Sequence, residues 1–254
     1  MKIVTAAQMR ELDRRAQRER GISEQTLIAR AGRSAAEWAA AQYPPSVRFL
    51  VLAGKGNNGA DALVAGRHLA KLGRRVRLFR AWRTAEADAF VERIRQAGDT
   101  QHPFVVLDGL WGTGLNRPVE NPLRALVDVL RDSPHAVVSL DLPSGLHPDT
   151  GRPFDLAARA RHTLAFGLPK LGVVQEHAAD DVGELHVLDL GFPEDLIAEI
   201  PSELDLLTAA NIAPFFAARK RRAHKGDLGR VVVIGGAVGM AGAPALAARA
   251  ALRA

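Results

Sequence analysis

The chain has 254 residues, 47% of them hydrophobic, and carries a formal charge of +6 from 34 Lys+Arg against 28 Asp+Glu. That length holds one large α/β domain, or one domain and part of another, with ample apolar content for a buried core. The absence of cysteine excludes disulfides, thiolate metal sites and cysteine nucleophiles, and no apolar run approaches the roughly 18 residues needed to span a bilayer.

Thr5 with Gln8 predicts a capping box for a first helix through about Arg18, and Ser23 precedes a second helix carrying Leu27, Ala31, Ala35 and Trp38 on one face. From Phe49 apolar strands alternate with amphipathic helices: strand 49–53, helix 60–72 stopped at Gly73, strand 76–80, helix 85–97 stopped at Gly98, strand 104–108, helix 122–131 and strand 136–140. Thr84 and the Asn121-Pro122 pair are helix starts. Further strands are expected at 162–166 and 184–189. Such a βαβ series predicts a parallel sheet covered on both faces, a doubly wound three-layer αβα Rossmann-like fold preceded by two helices.

After Pro201 the pattern loosens. The cluster Arg219-Lys-Arg-Arg222 has no aromatic residues interleaved, so it reads as a solvated face or linker, not a nucleic-acid surface. The pattern then restarts with a strand, Arg230-Val-Val-Val-Ile-Gly-Gly236, and an Ala-rich helix from about Gly242 to Ala254. These are expected to open a second α/β domain, of which the chain holds only the beginning. The opening Met1-Lys-Ile-Val-Thr-Ala-Ala-Gln8 lacks the apolar core of a signal peptide, so the expected compartment is the cytoplasm.

In an open parallel sheet, ligands bind beyond the carboxyl ends of the strands. The stretch Leu50-Val-Leu-Ala-Gly-Lys-Gly-Asn-Asn-Gly-Ala-Asp61 runs a strand into a turn with G-x-G-x-x-G spacing at Gly54, Gly56 and Gly59, which suits an anionic ligand at a helix N-terminus. The next strand, Arg75-Val-Arg-Leu-Phe-Arg80, lacks the acid that a dehydrogenase uses to hold ribose, and none follows before Glu86. Asn57, Asn58 and Asp61 add oxygens suited to a hard cation or a polar ligand. Strand 104–107 ends on Asp108, followed by Gly-Leu-Trp-Gly-Thr-Gly114. Strand 136–140 ends on Asp141, followed by Leu-Pro-Ser-Gly145. Taken singly, Asp61 also fits a helix start, Asp108 a turn and Asp141 an Asx-turn; their coincidence at one edge points to a site. The eight histidines form no spaced pair on a helix face, and His68, His162, His177 and His186 read as structural. Ser144 lacks the upstream glycine of a nucleophile elbow, which argues against a hydrolase.

Together, Gly54-Lys-Gly-Asn-Asn-Gly-Ala-Asp61, Asp108-Gly-Leu-Trp-Gly-Thr-Gly-Leu115, Asp141-Leu-Pro-Ser-Gly-Leu146 and Phe166-Gly-Leu-Pro-Lys170 resemble the NAD(P)H-hydrate epimerase family, also known as the YjeF N-terminal domain, and Gln25-Thr-Leu-Ile-Ala-Arg-Ala-Gly32 fits its second helix. The resemblance covers about residues 1–208. Residues 209–254, with Lys225-Gly-Asp-Leu-Gly-Arg-Val-Val-Val-Ile-Gly-Gly236 and Gly239-Met-Ala-Gly242, are similar to a linker and the start of a ribokinase-like, ADP-dependent NAD(P)H-hydrate dehydratase. In the bifunctional repair enzyme the two domains are fused in this order.

The resemblance implies interconversion of the R and S hydrates of NADH and NADPH (NADHX and NADPHX) at C6 with a bound potassium ion, and no redox step. Asn58, Asp108 and Ser144 would be the potassium ligands. Asn57, Asn58, Gly59, Ala60 and Asp61, with the loop Gly112, Thr113, Gly114, Leu115, Asn116, Arg117 and Pro118, would hold the dinucleotide. Asp141 would face the nicotinamide ring and move the proton, with Asp108 second; Lys170 would stabilise developing negative charge, or reads equally as a surface lysine. ADP or ATP would serve only the dehydratase domain fused in cis, whose activity is not expected of these residues alone. Where the family has glycines, this chain has Ala60 and Ala62. Two alternatives accompany the epimerase: a non-catalytic nucleotide-binding scaffold, and an oxidoreductase using Arg80 and Arg83 on a 2′-phosphate. Leu27 and Trp38 on the leading helices would supply a homo-oligomer surface.

Overall fold

The computed structural model describes residues 1–95, 104–120, 123–202, 204–216, 221–224, 226–227 and 229–253. The expected helix stop at Gly98, the Asn121-Pro122 helix start, Arg219 and Lys220 of the basic cluster, Lys225 and Leu228 of the tail motif, and Ala254 lie outside the described residues. The chain divides into two compact units, residues 1–206 and 207–254.

Helix α1 (Ala6–Arg20) begins where the capping box predicts, with Gln8 N–H donating to the Thr5 hydroxyl and Thr5 N–H donating to Gln8 Oε1 at 2.7 Å. It ends two residues later than expected because Gly21, at φ 65°, takes the left-handed turn that closes the last carbonyls. Ser23 caps α2 (Glu24–Gln42). There follow β1 (Arg48–Ala53), α3 (Asn57–Lys71), β2 (Arg75–Arg80), α4 (Thr84–Arg95), β3 (Phe104–Gly109), α5 (Leu123–Arg131), β4 (Ala136–Leu140), β5 (His162–Phe166) and β6 (Glu184–Leu188). α3 starts three residues before its predicted boundary. Gly56 enters as an extended N-cap, so the Gly/Asn turn is itself the first helical turn, and Ala60 N–H already donates to Gly56 O at 3.1 Å.

The six strands form one parallel sheet in the order β2-β1-β3-β4-β5-β6. Strand alternation divides the core. Phe49, Val51 and Ala53 of β1 join Val105 and Leu107 of β3 and the inner faces of α1, α2 and α3, whereas Leu50, Leu52, Phe104 and Val106 pack on Phe90 and Ile94 of α4 and Leu126 and Leu130 of α5. Helices on both faces of a parallel sheet make the expected three layers. A third cluster, Leu142, Leu146, Ala157, Val173, Ala178 and Val182, anchors the segment between β4 and β5, and includes the short helix α6 (Ala179–Val182). Leu196 of helix α7 (Glu194–Ala198) closes the first cluster.

Two expectations change. Leu27 is buried and so is no exposed apolar residue, and Trp38 is half-buried against the core; α2 packs its apolar face on α3 and the sheet. In residues 207–254, α8 (Ala209–Ile212) and α9 (Gly242–Ala251) form, but residues 230–236 join no ladder and Val231, Val232 and Ile234 are exposed. A strand needs a hydrogen-bonding neighbour, and the described residues of this unit offer none.

Candidate functional site

After β1 the chain turns to one side to make β2, then crosses back to make β3, so the connections that follow β1 and β3 diverge. That divergence opens a crevice at the carboxyl ends of β1, β3 and β4. A cavity of about 390 Å³ lies there, lined by Asn57, Asn58 and Asp61 of α3, Gly112, Thr113 and Gly114 after β3, Asp141 after β4, Lys170, and Asp13 and Glu24 from the two leading helices. Close backbone approach shapes it. A Cβ at Gly54 would strike the Leu110 carbonyl, and one at Gly59 would strike the Gly54 carbonyl, so these glycines let the turns after β1 and β3 pack backbone to backbone. No side chain caps the α3 N-terminus, which leaves its first N–H groups available to an anion.

Asp108, fully buried, organises the floor. Its Oδ2 accepts from Ser144 N–H and the Ser139 hydroxyl, each at 2.9 Å, and its Oδ1 from the Ser144 hydroxyl at 2.5 Å and Leu110 N–H at 3.2 Å. Burial raises its pKa, and these donors oppose the shift. Ser144 Oγ in turn accepts from Trp111 N–H at 3.2 Å, so β3, β4 and both following loops share one network. Beside it, Asn58 Nδ2 donates to Leu140 O at 2.9 Å, while Asn58 Oδ1 is buried with no partner. An orphaned buried carbonyl oxygen is costly unless a donor or cation reaches it. The Asn58, Asp108 and Ser144 side chains all offer oxygen, the donor chemistry that a hard monovalent cation would need.

Asp141 has φ 66°, the left-handed conformation that among non-glycine residues Asp and Asn adopt most readily. Its N–H donates to Leu164 O at 2.8 Å, which fixes the turn as β4 ends. Lys170, 1% exposed, donates its ammonium to Asp141 Oδ1 and, at 2.9 Å, to Phe166 O. It is therefore a buried partner of the site and not a surface lysine. Asp141 Oδ2 faces Gly112, where a Cβ would come within 2.8 Å of it.

Sequence reasoning missed Asp13, which stands one turn after Met9 on α1 and has no motif around it. Burial, reinforced by the charges of Asp141 and Glu24 and opposed by Lys170, lifts its pKa to about 6. Asp61 is pushed well above the usual carboxylate range, first by burial and then by Asp141. The crevice thus gathers carboxylates of high proton affinity around one ammonium, a setting for proton transfer. Arg10 reaches from α1 to Thr113 O at 3.3 Å, and Glu24 accepts from Asn57 Nδ2 at 2.6 Å.

Other expected residues do not line the cavity: Gly59 and Ala60 in the first turn of α3, Leu115, Asn116, Arg117 and Pro118 of the loop after β3, and Asp108 and Ser144. Ala60 has no positive φ, and the Ala62 methyl occupies the space that Gly109 leaves open, so neither alanine strains the turn. Arg80 and Arg83 both pair with Glu86, at 3.2 and 3.3 Å, which engages the two cations an oxidoreductase would use on a 2′-phosphate.

Residues 24–172 match the family described as YjeF-related protein N-terminus. Among curated proteins, the bifunctional NAD(P)H-hydrate repair enzyme Nnr of Moorella thermoacetica is 36% identical, with 100% of this chain and 52% of that protein aligned. The enzyme of the same name from Thermofilum pendens is 33% identical with the same shares aligned, and that of Escherichia coli is 31% identical over 92% of this chain and 48% of its own length. The chain spans about half the length of these relatives. Among solved structures, yeast ynu0, YNL200c, superposes with a TM-score of 0.65 at 21% identity, covering 82% of this chain and 98% of that one, a likeness of fold.

Proposed function

The chain belongs to the family of YjeF-related protein N-termini, and from that premise we propose that residues 1–208 are an NAD(P)H-hydrate epimerase acting in nicotinamide nucleotide repair. Residues 209–254 would open the dehydratase half, and the full protein would be bifunctional, like its curated relatives. The observation that carries the proposal is the Asp141–Lys170 pair at the base of the crevice, with the second carboxylate oxygen of Asp141 turned toward the glycine loop.

The substrate would be a nicotinamide ring hydrated at C6, a carbon that bears both a hydroxyl and the ring nitrogen. In the ring-opening route, Asp141 Oδ2 takes the hydroxyl proton while the C6–N bond breaks toward nitrogen. The same proton passes to that nitrogen, leaving an aldehyde. Rotation and reclosure reverse the transfers and set the hydroxyl on the opposite face, with no net gain or loss of protons or electrons. Lys170 holds Oδ1, so the reacting oxygen is defined. Asp108 is the weaker candidate for proton transfer, because it does not line the cavity and its carboxylate is held by four donors from the neighbouring loops and strand. Asn58, Asp108 and Ser144 would hold a potassium ion, which supplies positive charge beside the strand ends and offsets the carboxylates. The uncapped α3 N-terminus would receive a phosphate of the dinucleotide.

The test is chromatography of purified R and S NADPHX incubated with the protein, in potassium and then in sodium. Equilibration well above the buffer rate, faster in potassium, is expected. A folded protein that leaves the two forms at the buffer rate would overturn the proposal and favour the scaffold reading.

A further inference from the structure

A second group of chemistry-bearing side chains sits at the opposite end of the sheet. In the parallel register of β5 and β6, His162 lies across from Glu184 and Leu164 across from His186. Residues two apart on a strand share a face, so His162, Glu184 and His186 project to one side. That side is covered by α2. The Trp38 ring lies 5.1 Å from that of His162 and 4.7 Å from that of His186, and the Tyr43 ring 6.3 Å from His162.

The donor atoms lie close together. His162 Nδ1 stands 3.2 Å from His186 Nε2 and 3.4 Å from Glu184 Oε2, His186 Nε2 stands 3.6 Å from the other carboxylate oxygen, Glu184 Oε1, and one ligand atom from each residue lies within 4.8 Å of the other two. In a tetrahedral site with metal–ligand bonds of about 2.0–2.2 Å, neighbouring donors are about 3.3–3.6 Å apart. Among the described residues this is the group of three His, Asp or Glu side chains whose ligand atoms meet within metal-binding distance. Two imidazole nitrogens with one carboxylate select zinc and its late first-row neighbours over magnesium, calcium or potassium, which prefer oxygen.

We infer that His162, His186 and Glu184 form a zinc site on the edge of the sheet, built from the N-terminal halves of β5 and β6 and walled by the Trp38 indole. Three protein ligands leave the fourth position to water or an incoming group. His162 is buried, whereas the Glu184 side chain is 67% exposed and gives the ion a route from solvent. Both histidines had read as structural in the sequence. Their spacing of 24 residues across two strands is a signal only once β5 and β6 are known to be neighbours.

The test is Zn²⁺ titration of the chelator-stripped protein in competition with a chromophoric chelator, with Co²⁺ as a spectroscopic probe. One ion per chain is expected, tighter than about 1 µM, with the visible absorption of four-coordinate cobalt. His186→Ala and Glu184→Gln, on an edge strand and less buried than His162→Ala, are expected to keep the circular dichroism spectrum and to weaken binding at least roughly tenfold. Zinc uptake equal in both variants and the parent, or no saturable uptake in the micromolar range, overturns the site. Because the readout is bound metal, a negative result leaves the epimerase proposal standing, and the reverse holds.

Discussion

At the scale of single residues, the site turns on charges that would be costly if left alone. Lys170 and Asp141 are both buried and answer each other. Replacing Lys170 by Met leaves the Asp141 carboxylate unpaired, so a stability loss of about 3 kcal/mol is expected in urea unfolding. Asp141→Asn keeps a side chain that tolerates positive φ but leaves the buried Lys170 ammonium without its counter-charge, so a stability loss of about 3 kcal/mol is expected here too, and the fraction that stays folded is expected to lose epimerisation by roughly 10²-fold or more; unchanged turnover would remove Asp141 from the reaction. Asp13 gives a pH signature. Its folded pKa of about 6 lies above the unfolded value of 3.8, so the folded state holds the extra proton between these limits and stability falls as pH rises through them. Asp13→Asn lacks this titration. It is expected to match the parent near pH 3.5 and to exceed it by roughly 2 kcal/mol above pH 6.5, a gap that denaturant midpoints at the two pH values would reveal. A gap that does not change with pH would refute the Asp13 assignment.

At the scale of elements, the strand ends and the glycine turns have separable roles. Gly59 packs against the Gly54 backbone, so Gly59→Ala drives a methyl into main chain that cannot yield, and a loss of about 2 kcal/mol is expected despite better helix propensity. Gly112 instead faces a side-chain carboxylate. Gly112→Ala is expected to displace Asp141 Oδ2 by a fraction of an ångström, lowering turnover by roughly 10²-fold with little change in Tm. A large fall in Tm with turnover kept would contradict that division. Most of these elements were legible beforehand. The Thr5–Gln8 capping box, the strands from 49 to 188 and the helices between them follow from periodicity and caps, and they were found within a few residues. The early start of α3 was not, because Gly and Asn read locally as a turn, and only the packing of α3 on β1 and α2 decides that the first turn is helical.

At the scale of the whole molecule, every buried hydrophobic residue among those described lies at or before Ile200. Residues 1–206 form a compact unit with its own core, so a chain of these residues is expected to unfold cooperatively and to retain epimerisation; loss of the cooperative transition would contradict that. The amino-acid sequence by itself determined the alternation of strand and helix, the parallel sheet and the carboxylates at the ends of β3 and β4, because periodicity, caps and glycine spacing are local properties of the chain. The tertiary structure alone decided that Lys170 is a buried partner of Asp141, that Asp13 enters the crevice, that Leu27 belongs to the core with Trp38 half-buried against it, and that His162, His186 and Glu184 meet. Each of these depends on residues brought together by strand order and helix packing, and neither distance nor desolvation has any expression in a single strand or helix read alone.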